Sequence, residues 1–75
     1  MKDPGPMQRL ATNYKVPIKR GRLVRFGKVR GRITSVRRGY LRVTLEDGRR
    51  YSMHARETGM VYLEDDGETV LLDLP

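Results

Sequence analysis

The chain has no cysteine and no tryptophan, and only one phenylalanine and one histidine. Without cysteine, neither a disulfide nor a thiolate zinc site can reinforce the fold. A lone histidine leaves no nucleophile, base and orienting group to assemble into a catalytic constellation. Phosphate-loop and dinucleotide motifs are also missing: Gly27-Lys28-Val29-Arg30-Gly31 joins two strand-like runs instead of opening a helix. The expectation is a non-enzymatic protein with no catalytic residue, metal site or cofactor. No apolar run approaches the roughly 20 residues that span a bilayer, and the opening residues lack a signal peptide's hydrophobic stretch. No membrane partner is expected, and the cytoplasm is the expected location. Finally, residues 57–75 hold six acids and no base.

That last absence makes the rest of the charge informative. All 16 Lys and Arg fall in residues 1–56, where Asp3, Glu46 and Asp47 are the only acids, and the formal net charge of the whole is +7. A basic body with an acidic end points to a partner carrying phosphates, since each Lys or Arg that neutralises one releases a condensed counterion. With 75 residues there is room for one small domain, whose core buries only about 60% of the unfolded chain's surface.

Residues 1–17 place Pro4, Gly5, Pro6 and Pro17 around a segment too short to hold a helix unaided, and are expected to form a flexible N-terminal arm. Residues 18–75 read as a small β-barrel domain. There Val, Ile, Leu, Tyr and Thr occur in short runs cut by glycine, predicting strands at 22–26, 29–36, 40–45, 49–55, 60–64 and 69–72. Five to six short strands in so few residues imply an all-β barrel. Glycines within 22–36 suit a strand that bends or carries a bulge.

Register is legible at the central hairpin, because directly opposed residues share a face. A two-residue turn at Asp47-Gly48 would set Leu45 against Arg50 and Val43 against Ser52, mixing core with surface. A three-residue turn, Glu46-Asp47-Gly48 with Gly48 left-handed, pairs Leu45 with Arg49, Val43 with Tyr51 and Leu41 with Met53. Tyr51, Met53 and Phe26 are then expected in the core. The outer face becomes Tyr40, Arg42, Thr44, Arg50, Ser52 and His54, with no acid. In the second hairpin, a two-residue turn at Asp66-Gly67 sets Leu63 opposite Val70 and Val61 opposite Leu72, with Tyr62 and Leu71 outside. The acids at its tip lack the spacing of a calcium loop.

The stretch GRITSVRRGYLRVTLEDGRRYSMHARETGM resembles bacterial translation initiation factor one, a small OB-fold family. Gly31 and Ile33 match the bend of its first strand, and Arg42-Val43-Thr44-Leu45-Glu46-Asp47-Gly48 its second strand and turn. His54 falls six residues after Gly48, as the family's histidine does, and 67–75 looks like its late strand. The resemblance covers 31–75. The family's closing GRIV.R strand has its counterpart instead at Gly21-Arg22-Leu23-Val24-Arg25-Phe26, and GKVRGRITSV also resembles a KOW element of SH3-like barrels. The resemblance therefore implies a small barrel that is OB-like or, with one strand permuted, SH3-like, acting on a ribosome or transcription complex.

In OB-folds the surface of strands 2 and 3 binds oligonucleotides. On the outer face derived above, Arg42, Arg50 and the loop arginines Arg37 and Arg38 offer phosphate contacts, Tyr40 a flat ring for a base, and His54 a second ring or donor. Lys28, Arg30 and Arg32 alternate along the bent strand and extend the track. The expected partner is RNA or a single-stranded nucleic acid. An alternative is a protein-interaction module using the acidic hairpin and a Tyr62–Leu71 patch. The chain is expected as a monomer or a weak homo-oligomer joined through the edge at 22–26.

Overall fold

In a computed structural model, which describes residues 5–75, the apolar runs between glycines form six strands behind one helix. These are α1 (Pro6–Tyr14), β1 (Leu23–Phe26), β2 (Val29–Arg37), β3 (Tyr40–Leu45), β4 (Arg50–Met53), β5 (Met60–Leu63) and β6 (Val70–Asp73). All six join one sheet in the order β4-β3-β2-β1-β5-β6, with every neighbouring pair antiparallel. The chain is thus mostly β with a barrel-like core, and each expected strand is present to within a few residues of its predicted ends. β1 lies between β2 and β5. Its backbone is paired on both sides, so the expected free edge at 22–26 does not exist. The free edges belong to β4 and β6.

The sheet coils around a single apolar cluster. Val24, Ile33, Leu41, Val43, Met60 and Tyr62, from four different strands, are almost wholly buried, and Leu10, Val16, Ile18, Ala55 and Leu74 complete the cluster. β5 is buried on both faces, since Val61 and Leu63 are also covered. Two features let β2 wrap this core. A bulge between Ile33 and Ser35 resets the alternation, so that both Ile33 and Val36 reach the interior. Gly31 lets β2 lie close against β3: a Cβ there would stand 2.8 Å from Val43 Cγ1 and 2.9 Å from both Leu45 Cδ2 and the Thr44 carbonyl oxygen.

Four expectations need correction. The N-terminal segment is helical over Pro6–Tyr14 and packs on β2, and Leu10, Val16 and Ile18 enter the core. Nine residues cannot hold a helix by propensity alone; burial of Leu10, with Met7 and Ala11 packed beside it, supplies the stabilisation. Residues 1–4 of the expected arm lie outside the described residues. Second, Tyr62 is inside the barrel, not on its surface. The turn of the β5–β6 hairpin takes four residues, 65–68, closed by Gly67 N–H donating to Glu64 O (2.9 Å) and Glu64 N–H donating to Thr69 O (2.9 Å). Leu63 does oppose Val70, but a bulge then shifts the register, so that Tyr62 opposes Leu72 and Val61 opposes Asp73. The Tyr62 hydroxyl donates to the Ala55 carbonyl, and burial pushes its phenol far above the usual tyrosine range. Third, the outward apolar pair is therefore lost; Leu71 is exposed without Tyr62. Fourth, Tyr51 is 44% exposed, because its strand is the sheet's edge and has no neighbour to cover it. Met53 and Phe26 do pack against the core.

Among the described residues no helix is long and apolar enough to cross a membrane. Because backbone and packed side chains surround Gly31, Gly31→Ala should lower unfolding stability by about 1–3 kcal/mol. Urea denaturation measures this; an unchanged midpoint would show that β2 and β3 are not so closely apposed.

Candidate nucleic-acid interface

The β3–β4 turn decides which side chains face water. Gly48 takes φ +90°, its N–H donates to Leu45 O at 2.9 Å, and Leu45 N–H donates to Arg49 O at 2.7 Å. Asp47 Oδ1 accepts from Arg49 N–H at 2.9 Å and fixes the turn further. The resulting register pairs Leu41 with Met53, Arg42 with Ser52, Val43 with Tyr51 and Thr44 with Arg50, as the three-residue turn requires. Leu41 and Val43 point into the core, so Tyr40, Arg42, Thr44, Arg50 and Ser52 share the outer side.

β2 widens this side into a continuous surface. Arg37, Arg38, Tyr40, Arg42 and Ser52 line one shallow cleft of about 340 Å³. Arg42 is shared with the next, of about 280 Å³, where Thr34, Ser35, Thr44 and Arg50 also lie. No carboxylate lines either cleft. Thr34 and Thr44 then border a third, of about 640 Å³, whose lining brings Arg30 and Arg32 together with Glu46, Asp65 and Asp66. The basic row therefore ends against the acidic hairpin tip.

Several cations outside the row are paired, while the side chains of Lys15, Arg20, Arg25 and Lys28 have no partner among the described residues. Lys19 pairs with Asp65 at 3.2 Å, Arg49 pairs with Asp47 at 3.2 Å, and buried Arg22 donates to the carbonyls of Pro17 (2.9 Å) and Leu63 (3.2 Å). Arg32 donates to Gly21 O at 3.2 Å. By contrast, the guanidiniums of Arg37, Arg38, Arg42 and Arg50 make no hydrogen bond or ion pair with any described residue, and neither do the hydroxyls of Ser35, Thr44 and Ser52. Four uncompensated cations beside three unused hydroxyls form a surface equipped for an anion with many oxygen acceptors.

One end of the row carries aromatic rings. His54 lies just past β4, its ring edge-on to Tyr40 at 6.3 Å and to Tyr14 at 4.8 Å between centroids. Its Nδ1 accepts from Arg56 N–H at 3.1 Å, which leaves Nε2 to carry the proton of the neutral ring. Arg56 Nη1 in turn donates to Tyr14 O at 2.9 Å, fastening the end of α1 beside the histidine. Tyr40 is 51% exposed and Tyr14 36%. Sequence reasoning missed Tyr14 and Arg56. The available signal was Leu10 and Tyr14 at i, i+4: once Leu10 is in the core, Tyr14 falls along the same side of the helix.

Of the expected site residues, the structure brings Arg37, Arg38, Tyr40, Arg42, Arg50 and His54 together. Arg30 and Arg32 lie further along, at the acidic end. Lys28 does not join them: with Gly27 it forms the two-residue turn between Phe26 and Val29, so it has left the strand's alternation and lines none of these clefts. No protein-family model matches the chain, and no curated protein or solved structure matches it either.

Two features of the site carry predictions. At the β2–β3 turn Arg38 is left-handed at φ 53°, followed by Gly39 at φ 81°. An L-residue other than Gly, Asn or Asp pays about 1 kcal/mol or more there, and Asn-Gly is the favoured sequence for this turn. Arg38→Asn should therefore keep or raise the thermal midpoint. A lowered midpoint would mean that Arg38 supports the fold. At the acidic tip, Asp66 accepts from Thr69 Oγ1 (2.6 Å), Glu68 N–H (2.8 Å) and Thr69 N–H (2.9 Å). These bonds, that of the Thr69 hydroxyl foremost, lower its carboxyl from 3.8 to about 2. A carboxyl lowered by folding stabilises the native state above its unfolded value and loses that contribution as pH falls toward its folded one. The stability difference between the wild type and Asp66→Asn should therefore shrink between about pH 4 and pH 2, as thermal melts across that window would show.

Proposed function

We propose that this chain is a non-enzymatic nucleic-acid-binding protein whose ligand is RNA or a single strand, held across the outer side of β2, β3 and β4. One observation carries the reading: four guanidiniums without partners among the described residues share an acid-free surface with unused hydroxyls and lead to exposed rings. Phosphates bind along Arg50, Arg42, Arg37 and Arg38, and bases meet Tyr40 and the rings behind it. Stacking of this kind is worth about 1–3 kcal/mol per base and discriminates poorly among bases. Duplex reading is disfavoured, because among the described residues the one helix packs on β2 instead of standing free to enter a major groove. A cytoplasmic ribosome or transcription complex is the setting that the likeness to initiation factor one over residues 31–75 would give.

Fluorescence anisotropy with a short mixed-sequence RNA, its DNA equivalent and inorganic polyphosphate tests the proposal. Arg42→Glu with Arg50→Glu should weaken binding to all three by about tenfold or more and flatten the salt dependence. Arg38→Asn should weaken binding without loss of thermal stability. Tyr40→Ala should cost about 1–3 kcal/mol with RNA and nothing with polyphosphate, which has no base to stack. Unchanged RNA binding in the double-glutamate variant would remove this surface as the site.

A further inference from the structure

The sheet leaves two edges without partners, and they carry opposite charge. β4 is bonded only to β3, and β6 only to β5. The Leu45–Arg49 bond sets the alternation along the β3–β4 ladder, which turns the backbone N–H and C=O of Arg50 and Ser52 outward. Arg49 and Arg50 open this edge and Arg56 follows it, with Tyr51 exposed between. On the other edge, Glu68 precedes β6 and Asp73 ends it, and Val70 and Leu71 between them are 49% and 37% exposed. The carboxylates of Glu68 and Asp73, like the guanidinium of Arg50, have no partner among the described residues.

Strand direction makes the two edges compatible. Six strands that alternate in direction leave β4 and β6 running oppositely, so a second copy in the same orientation presents its β4 antiparallel to the first copy's β6. In that pairing the start of β4, with Arg49 and Arg50, meets the end of β6 at Asp73. Arg56 meets Glu68 at the other end, and Tyr51 and Met53 lie against the Val70–Leu71–Leu72 run. Exposed edges of this kind invite strand addition; neither edge strand contains a proline, though both are short and β6 carries a bulge.

We infer that copies of this chain associate head to tail, β4 of one copy adding to β6 of the next, with basic edge on acidic edge. The contact is heterologous, so it closes into a ring or continues as a chain. Its strands are four residues each, and the association is accordingly weak. It stands whether or not the outer side binds nucleic acid.

Sedimentation velocity on nuclease-treated full-length protein, over a range of concentrations at about 0.05 M and about 0.5 M salt, tests this. The wild type should associate with rising concentration at the lower salt, with at least tenfold weaker association at the higher (an order-of-magnitude expectation for a charge-steered contact). Glu68→Lys with Asp73→Lys should sediment as a monomer, as should Arg49→Glu with Arg50→Glu. An equimolar mixture of the two should associate again, since the unaltered β4 edge of the first variant then meets the unaltered β6 edge of the second. Circular dichroism melts establish that each variant folds; should either fail, Asp73→Asn and Arg50→Gln must each weaken association instead. A wild type that is monomeric throughout, association untouched by either reversal, or a mixture that stays monomeric would each overturn the inference.

Discussion

Gly48, at φ +90°, lets the chain turn between Leu45 and Arg49 in three residues, and on that register depends which side of the sheet meets water. Had the turn closed one residue shorter, Val43 would face Ser52 and the alternation would fail on both sides at once. As it is, Leu41 and Val43 are buried, and the residues that alternate with them are committed to the opposite side. The acid-free row of arginines and hydroxyls is thus the complement of the core: burying one fixed set of apolar side chains leaves no other place for Arg42, Thr44, Arg50 and Ser52.

This explains why the central part of the molecule is legible from the amino-acid order. Strand positions follow from short β-branched runs between glycines, and the β3–β4 register from a requirement that apolar residues oppose apolar residues. Only one turn length satisfies it. Tyr62 shows where such parity reasoning stops. Its assignment to the surface assumes that only one face of β5 is covered, whereas Met60, Val61, Tyr62 and Leu63 are all buried and Tyr62 stands opposite Val24 of β1; nothing in the run Met60-Val61-Tyr62-Leu63 marks that both faces will be covered. Tyr51 shows a second boundary: parity tells which side of a sheet a residue is on, but not whether a neighbouring strand covers it. The N-terminal helix is a third. Its stability comes from the docking of Leu10 against strands that follow it, a contact absent from any local window.

The segregation of charge along the chain becomes segregation in space through a few contacts. Asp65 meets Lys19 and Arg22, and Arg22, buried and bonded to the carbonyls of Pro17 and Leu63, ties the segment before β1 to the end of β5. The acidic tip is thereby held at one end of the cationic row instead of over it. Among the described residues Arg37, Arg38, Arg42 and Arg50 stay uncompensated because no carboxylate lines the clefts they share.

The placement of β1 against β5 also bears on how the chain is made. These two strands lie side by side within the sheet, yet everything from Gly27 to Gly59 separates them in sequence. A nascent chain emerging from the ribosome can close the β1–β2, β2–β3 and β3–β4 hairpins in turn, but Val24 and Ile33 stay partly uncovered until Met60 and Tyr62 arrive. For that interval the growing polypeptide presents a half-built apolar surface, and the order of synthesis makes the last-made third of the molecule the part that seals the first.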